Sequence, residues 1–88
     1  MTMALTSDEI LAVIVAVVAT VLEVDPATVT PDLTFRQLQA DSLAVVEIVE
    51  LLEQELSARA RADFAIDDED LDDLLSVGDA LAYAMSRL

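Results

Sequence analysis

One serine in this chain stands where a modification would suit it, while the residue types that do most chemistry at neutral pH are missing. The 88 residues include no histidine and no cysteine, and all four basic residues are arginines. A general base poised near neutrality, a thiolate nucleophile, a Cys-type zinc site and a Schiff-base amine are therefore out of reach. Ser42 has no histidine to deprotonate it and no G-x-S-x-G turn around it, which argues against a hydrolase. Carboxylates abound, but spacing alone does not place two in one pocket, and Asp67 to Asp73 lacks the glycine-centred spacing of an EF-hand loop. The stretch Leu38-Gln39-Ala40-Asp41-Ser42-Leu43 differs, because it puts a hydroxyl in the first turn of a helix. Unpaired amides and the helix dipole favour a phosphate there. Asp41 and Ser42 also suit a plain helix cap, and the pattern leaves both roles open. Any reactive group involving this protein has to come from elsewhere.

The elements that position Ser42 are helical. Thr6-Ser7-Asp8-Glu9 fits a capping box, so a first helix is expected from about Ser7 to Leu22, with Ile10, Val13 or Ile14, Val17 and Val21 on one stripe. Its many β-branched residues would also suit a strand, but length and the cap favour helix. A long connector follows, broken by Pro26 and Pro31, in which Asp25-Pro26 opens a single turn and Leu33, Phe35 and Leu38 fold inward. A second helix is expected from Asp41 or Ser42 to about Leu56. It buries Val45, Ile48, Val49, Leu52 and Leu56, and it turns Glu47, Glu50, Glu53 and Gln54 outward. Ser57 to Asp63 reads as a polar connector. A short third helix starts after Asp67, which can cap it, and a last helix starts at Ser76, with Gly78 in its first turn. Val77, Leu81, Ala84, Met85 and Leu88 form the apolar side of that helix. Small Ala and Val side chains along the first helix are expected to leave room between helices.

Composition sets the class of partner. An apolar fraction of 56% with few aromatics describes one ordered domain, residues 1–88, whose core is Ala, Val, Leu and Ile. A formal charge of −14 repels nucleic acid and anionic lipid and attracts proteins with basic surfaces. The N-terminus shows no basic region or small-residue cleavage site, and the apolar run from Ile10 to Ala19 is too short to span a bilayer. A cytoplasmic location and a monomer are the expectation.

The sequence resembles the acyl carrier protein family. The resemblance rests on Asp41-Ser42-Leu43 within the longer pattern Pro31-Asp32, Phe35, Leu38, Ala40, Val46-Glu47 and Leu52-Glu53. Asp67 to Asp70 and Val77-Gly78-Asp79-Ala80 extend it over nearly the whole chain. It implies an all-α four-helix bundle with a long loop between helices 1 and 2 and a short third helix. It also implies that Ser42 receives 4′-phosphopantetheine from coenzyme A through a Mg²⁺-dependent phosphopantetheinyl transferase, with Asp41 and Leu43 flanking the arm. The protein is then no enzyme but a carrier of acyl thioesters in fatty acid or polyketide assembly. Leu43, Glu47, Glu50 and Glu53 would meet basic patches on acyl-transferring, ketosynthase-type or ligase enzymes. Gln39 stands where the family often has glycine, so the loop is expected to take a different path there if that glycine has positive φ. Ala44 replaces an acid often found after the leucine, and the Ser57 to Phe64 connector is longer than usual. These departures lean slightly towards a secondary pathway such as polyketide assembly. An aminoacyl or peptidyl carrier would share the serine and the arm, whereas an acidic helical adaptor would need neither.

Overall fold

A computed structural model describes residues 5–88. The first four residues, part of the N-terminal stretch considered above for a signal, lie outside the described residues. Helix α1 spans Ser7–Leu22 and opens with the expected capping box. Thr6 Oγ1 accepts the Glu9 N–H at 3.2 Å, and the Glu9 carboxylate accepts the Thr6 N–H at 3.0 Å. Those bonds, the backbone one foremost, hold the Glu9 carboxyl below its ordinary range. The helix buries Ile10, Val13, Ile14, Val17, Val18 and Ala19. Val21, expected on the stripe, is only half-buried, because the last turn of α1 reaches the edge of the core.

Helix α2 runs Ser42–Ala60, past the expected end at Leu56. Ser57, read as the start of the connector, remains helical and serves the connector from the helix side. Its hydroxyl accepts the Phe64 N–H at 2.9 Å and donates to the Phe64 carbonyl at 3.1 Å. Arg61, in the left-handed region at φ 54°, ends the helix. Ile48, Leu52 and Leu56 are buried, flanked by half-buried Val45 and Val49.

The third helix is short, as expected, and is a 3₁₀ helix over Asp68–Asp73. Asp67 precedes it, but its side chain makes no cap bond; the carboxylate pairs instead with Arg87 at 3.4 Å. The final helix, α3, spans Val77–Arg87 and begins with a capping box between Ser76 and Asp79. It buries Val77, Ala80 and Ala84, and the small alanines let it lie against α1. Met85 and Leu88, expected on the apolar side, are exposed at 50% and 36%, because the inward face ends at Ala84. Tyr83 ties α3 to the 3₁₀ helix: its hydroxyl donates to Asp70 at 2.9 Å and accepts the Asp67 N–H at 3.2 Å. The Arg87 guanidinium lies 4.7 Å from the centre of the same ring. Three α-helices and two 3₁₀ helices, the second being Asp68–Asp73 and the first a single turn at Pro26–Thr28, thus surround one core, with no buried polar or charged residue among the described residues. No described helix is long and apolar enough to cross a membrane.

Between α1 and α2 the long loop is fastened by side chains and by backbone. Asp25 caps the 3₁₀ turn Pro26–Thr28 through the Ala27 N–H. Phe35 is buried and Leu33 and Leu38 are half-buried, as the apolar pattern predicts. Beyond that pattern, residues 31–35 pair with residues 75–78. The Phe35 N–H donates to the Leu75 carbonyl (2.9 Å), the Val77 N–H to the Leu33 carbonyl (3.0 Å) and the Gly78 N–H to the Pro31 carbonyl (2.8 Å). Thr34 and Ser76 form an isolated antiparallel bridge at the centre of this seam. A Cβ on Gly78 would sit 2.9 Å from the Pro31 oxygen, closer than van der Waals contact permits.

Gly78→Ala separates two opposing effects. Helix propensity would favour alanine by about 1 kcal/mol, whereas overpacking against a backbone oxygen costs about 1–3 kcal/mol. The expected outcome is a net loss of about 1 kcal/mol in urea unfolding; a gain in stability would show that the seam opens freely.

Candidate functional site

Local bonds within the loop set the approach to α2. Thr34 and Gln37 bond reciprocally: the Gln37 N–H donates to Thr34 Oγ1 at 3.0 Å, and Gln37 Oε1 accepts the Thr34 N–H at 2.9 Å. The Gln39 N–H donates to the Arg36 carbonyl and the Ala40 N–H to the Phe35 carbonyl, closing a turn over a buried phenylalanine. Gln39 takes φ 63°, a left-handed conformation that a glutamine supplies here. The Ala40 and Leu38 N–H bonds to the Phe35 and Thr34 carbonyls hold the turn against the local strain.

Of the two residues that suit a helix cap, Asp41 takes that role. Asp41 is the N-cap of α2, its Oδ1 accepting the Ala44 N–H at 2.8 Å, while its carbonyl accepts the Val45 N–H. Ser42 is the first helical residue; it is exposed, and among the described residues no side-chain hydrogen bond engages its hydroxyl. The cap is therefore satisfied without the serine. Ser42 opens onto a solvent-accessible groove of about 610 Å³ between the loop, the start of α2 and the 3₁₀ helix. Phe35, Val45, Leu71 and Leu74 supply its apolar surface. Beside α1 there is a separate open depression of about 270 Å³ touching Val13, Val17 and Leu51, and Ser42 is not in its lining.

The other site residues distribute unevenly. Leu43 is 69% exposed beside Ser42, and Glu47 and Glu50 follow it on the same face of α2. Glu53 stands apart: it is half-buried, and its Oε2 accepts the Ile66 N–H at 2.9 Å, so the carboxylate fastens the connector to α2. Two exposed apolar residues that sequence reasoning passed over, Val46 and Leu75, line the rim of the groove, as does Arg36. Val46 could have been found as the residue three positions after Leu43 on a helix; Leu75 carried no local signal.

Residues 12–84 match the family model described as a phosphopantetheine attachment site. A meromycolate extension acyl carrier protein from Mycolicibacterium smegmatis is 38% identical over 82 residues, covering 92% of this chain and 77% of its own length. One of the same name from Mycobacterium leprae is 37% identical over 82 residues, with 92% of this chain and 66% of its own length covered. The acyl carrier protein of Helicobacter pylori is 41% identical over 69 residues, which cover 77% of this chain and 81% of that protein. The chain belongs to the acyl carrier protein family. Its prosthetic group is 4′-phosphopantetheine, and proteins of this family act as carriers alongside a phosphopantetheinyl transferase and biosynthetic enzymes. The residues present fit that group: an exposed primary hydroxyl at a helix start, with an open and largely apolar groove beside it that a flexible arm can enter. The bound group supplies a thiol for thioesters, a nucleophile that the polypeptide itself lacks.

The positive φ of Gln39 makes it a test of local strain in the turn. A side chain at positive φ costs on the order of 1–2 kcal/mol, part of which a glycine in its place would lose again through a more flexible unfolded chain. Gln39→Gly is expected to raise stability by about 0.5–1 kcal/mol in chemical denaturation. A lower stability would mean that the glutamine side chain makes contacts outweighing the backbone strain.

Proposed function

We propose that Ser42 carries the 4′-phosphopantetheine arm of this acyl carrier, and that residues 1–88 act as a single, monomeric, cytoplasmic carrier domain for fatty acid assembly. The observation that carries this reading is the division of labour at the start of α2, where Asp41 takes the cap and the neighbouring hydroxyl stays exposed at a groove. On transfer, the Ser42 oxygen bonds to the pantetheine-bearing phosphorus of coenzyme A and loses its proton, while the pyrophosphate P–O bond breaks and adenosine 3′,5′-bisphosphate leaves. The chain has no histidine and the adjacent Asp41 is bonded to the Ala44 N–H, which favours a base supplied by the transferase. Thioesters formed on the arm are delivered to ketosynthase-type, acyl-transferring or ligase enzymes through basic patches. The relatives named above as acyl carriers favour acyl cargo over aminoacyl cargo.

The docking face we propose combines Leu43 and Val46 as apolar contacts with Glu47 and Glu50 as charged ones, and Leu75 flanks it across the groove. Exposed ion pairs are each worth roughly 0–1 kcal/mol, so such a face speeds encounter without prolonging it. Glu53 is left out of this face because its carboxylate is committed to Ile66.

Incubation with coenzyme A, Mg²⁺ and a broad-specificity transferase is expected to add the mass of one phosphopantetheine to the parent protein and none to Ser42→Ala. Loading of the alanine variant would move the attachment point elsewhere; no loading of the parent by a verified transferase would favour the adaptor role. For the docking face, the double variant Glu47→Gln, Glu50→Gln is expected to lower kcat/KM for loading by about 3–30-fold, on the basis of two surface pairs. The deficit should shrink as salt rises. A deficit unchanged by salt would exclude an electrostatic role for these glutamates.

A further inference from the structure

We infer that Arg36 is a positioning residue for the arm, its guanidinium acting as counter-charge to the phosphodiester on Ser42. This inference rests on the assignment of the arm to Ser42 above. The chain has four cations against eighteen acids, so the placement of each cation is informative. Among the described residues, Arg59 is paired with Glu55 and Arg87 with Asp67 and Asp70, whereas Arg36 and Arg61 take part in no ion pair, and Arg61 lies at the far end of α2 from Ser42. The four residues outside the described part contain no carboxylate side chain. Arg36 lines the same groove as Ser42, and it is the only cation in that lining, together with the carboxylates of Asp41 and Asp72.

Its backbone is held where this role needs it. Phe35 on one side is buried and accepts the Ala40 N–H; Gln37 on the other is locked to Thr34; and the Arg36 carbonyl itself accepts the Gln39 N–H. The turn that leads the chain into Ser42 thus also presents Arg36 at the rim. A phosphodiester attached to Ser42 places a permanent negative charge among Asp41, Asp72 and the glutamates of α2. Asp41 cannot relieve that repulsion, being an acid already bonded to the Ala44 N–H. A guanidinium can, because its planar fork matches two phosphate oxygens, and in doing so it draws the base of the arm towards the loop side of the groove.

The test uses loaded protein. Parent, Arg36→Gln and Arg36→Lys are converted with coenzyme A and a transferase, and loading is confirmed by intact mass. The ³¹P resonance of each is then followed from low to high salt. For the parent, the resonance is expected to move with salt as the contact is screened. For Arg36→Gln it should stay near the parent's high-salt position throughout, and Arg36→Lys should restore part of the movement. Unchanged far-ultraviolet circular dichroism shows that the fold is kept, as expected for an exposed side chain. Identical ³¹P positions and salt responses in parent and Arg36→Gln would overturn this inference and leave the Ser42 assignment intact. Failure of the parent to gain the arm would overturn both.

Discussion

The geometry at Ser42 depends on a backbone seam between two distant stretches, residues 31–35 and 75–78. A helix start is only as well placed as the loop that feeds it, and this loop has no regular structure between Val29 and Ala40 to hold it. Buried Phe35 and the three interstrand-like bonds to Leu75, Val77 and Gly78 replace that missing regularity. The same seam brings Leu75 to the groove, so the rim and Ser42 share one support. Gly78 is the residue that allows the approach, because any side chain there would push the Pro31 carbonyl away.

Local features of the site were legible in the sequence because they are made by neighbours. The Thr6–Glu9 box, the Asp25 turn, the Ser76 cap and the placement of Ser42 at a helix start all involve residues within a few positions of one another. What was not legible depends on partners far along the chain. Glu53 read as a surface acid until Ile66, thirteen residues away, claimed it, and Ser57 read as a loop residue until Phe64 did the same. Backbone seams leave almost no mark on composition, and the lone glycine at position 78 was the one trace of this one. The left-handed glutamine shows the converse: surrounding hydrogen bonds can impose a conformation that the residue's own preference opposes.

Charge and chemistry divide cleanly in this protein. The polypeptide offers no nucleophile or base suited to acyl transfer, and its acids lie mainly on exposed faces where they shape encounter. Tight, dry contacts would hinder a carrier that visits enzymes in succession. The docking face proposed on Leu43, Val46, Glu47 and Glu50 would suit fast arrival and fast release, since affinity tuning acts mostly on the dissociation rate.

The choice of a 3₁₀ helix as one wall of the groove has a mechanical consequence. Its hydrogen bonds are fewer and more poorly aligned than those of an α-helix, and its far end is moored to α3 through Tyr83 and Arg87. Stiffness around the groove is therefore uneven: the α2 side is a continuous α-helix, whereas the Asp68–Asp73 side is a weakly bonded stretch held only at its two ends, by Tyr83 and Arg87 at one and by buried Leu74 and the seam at Leu75 at the other.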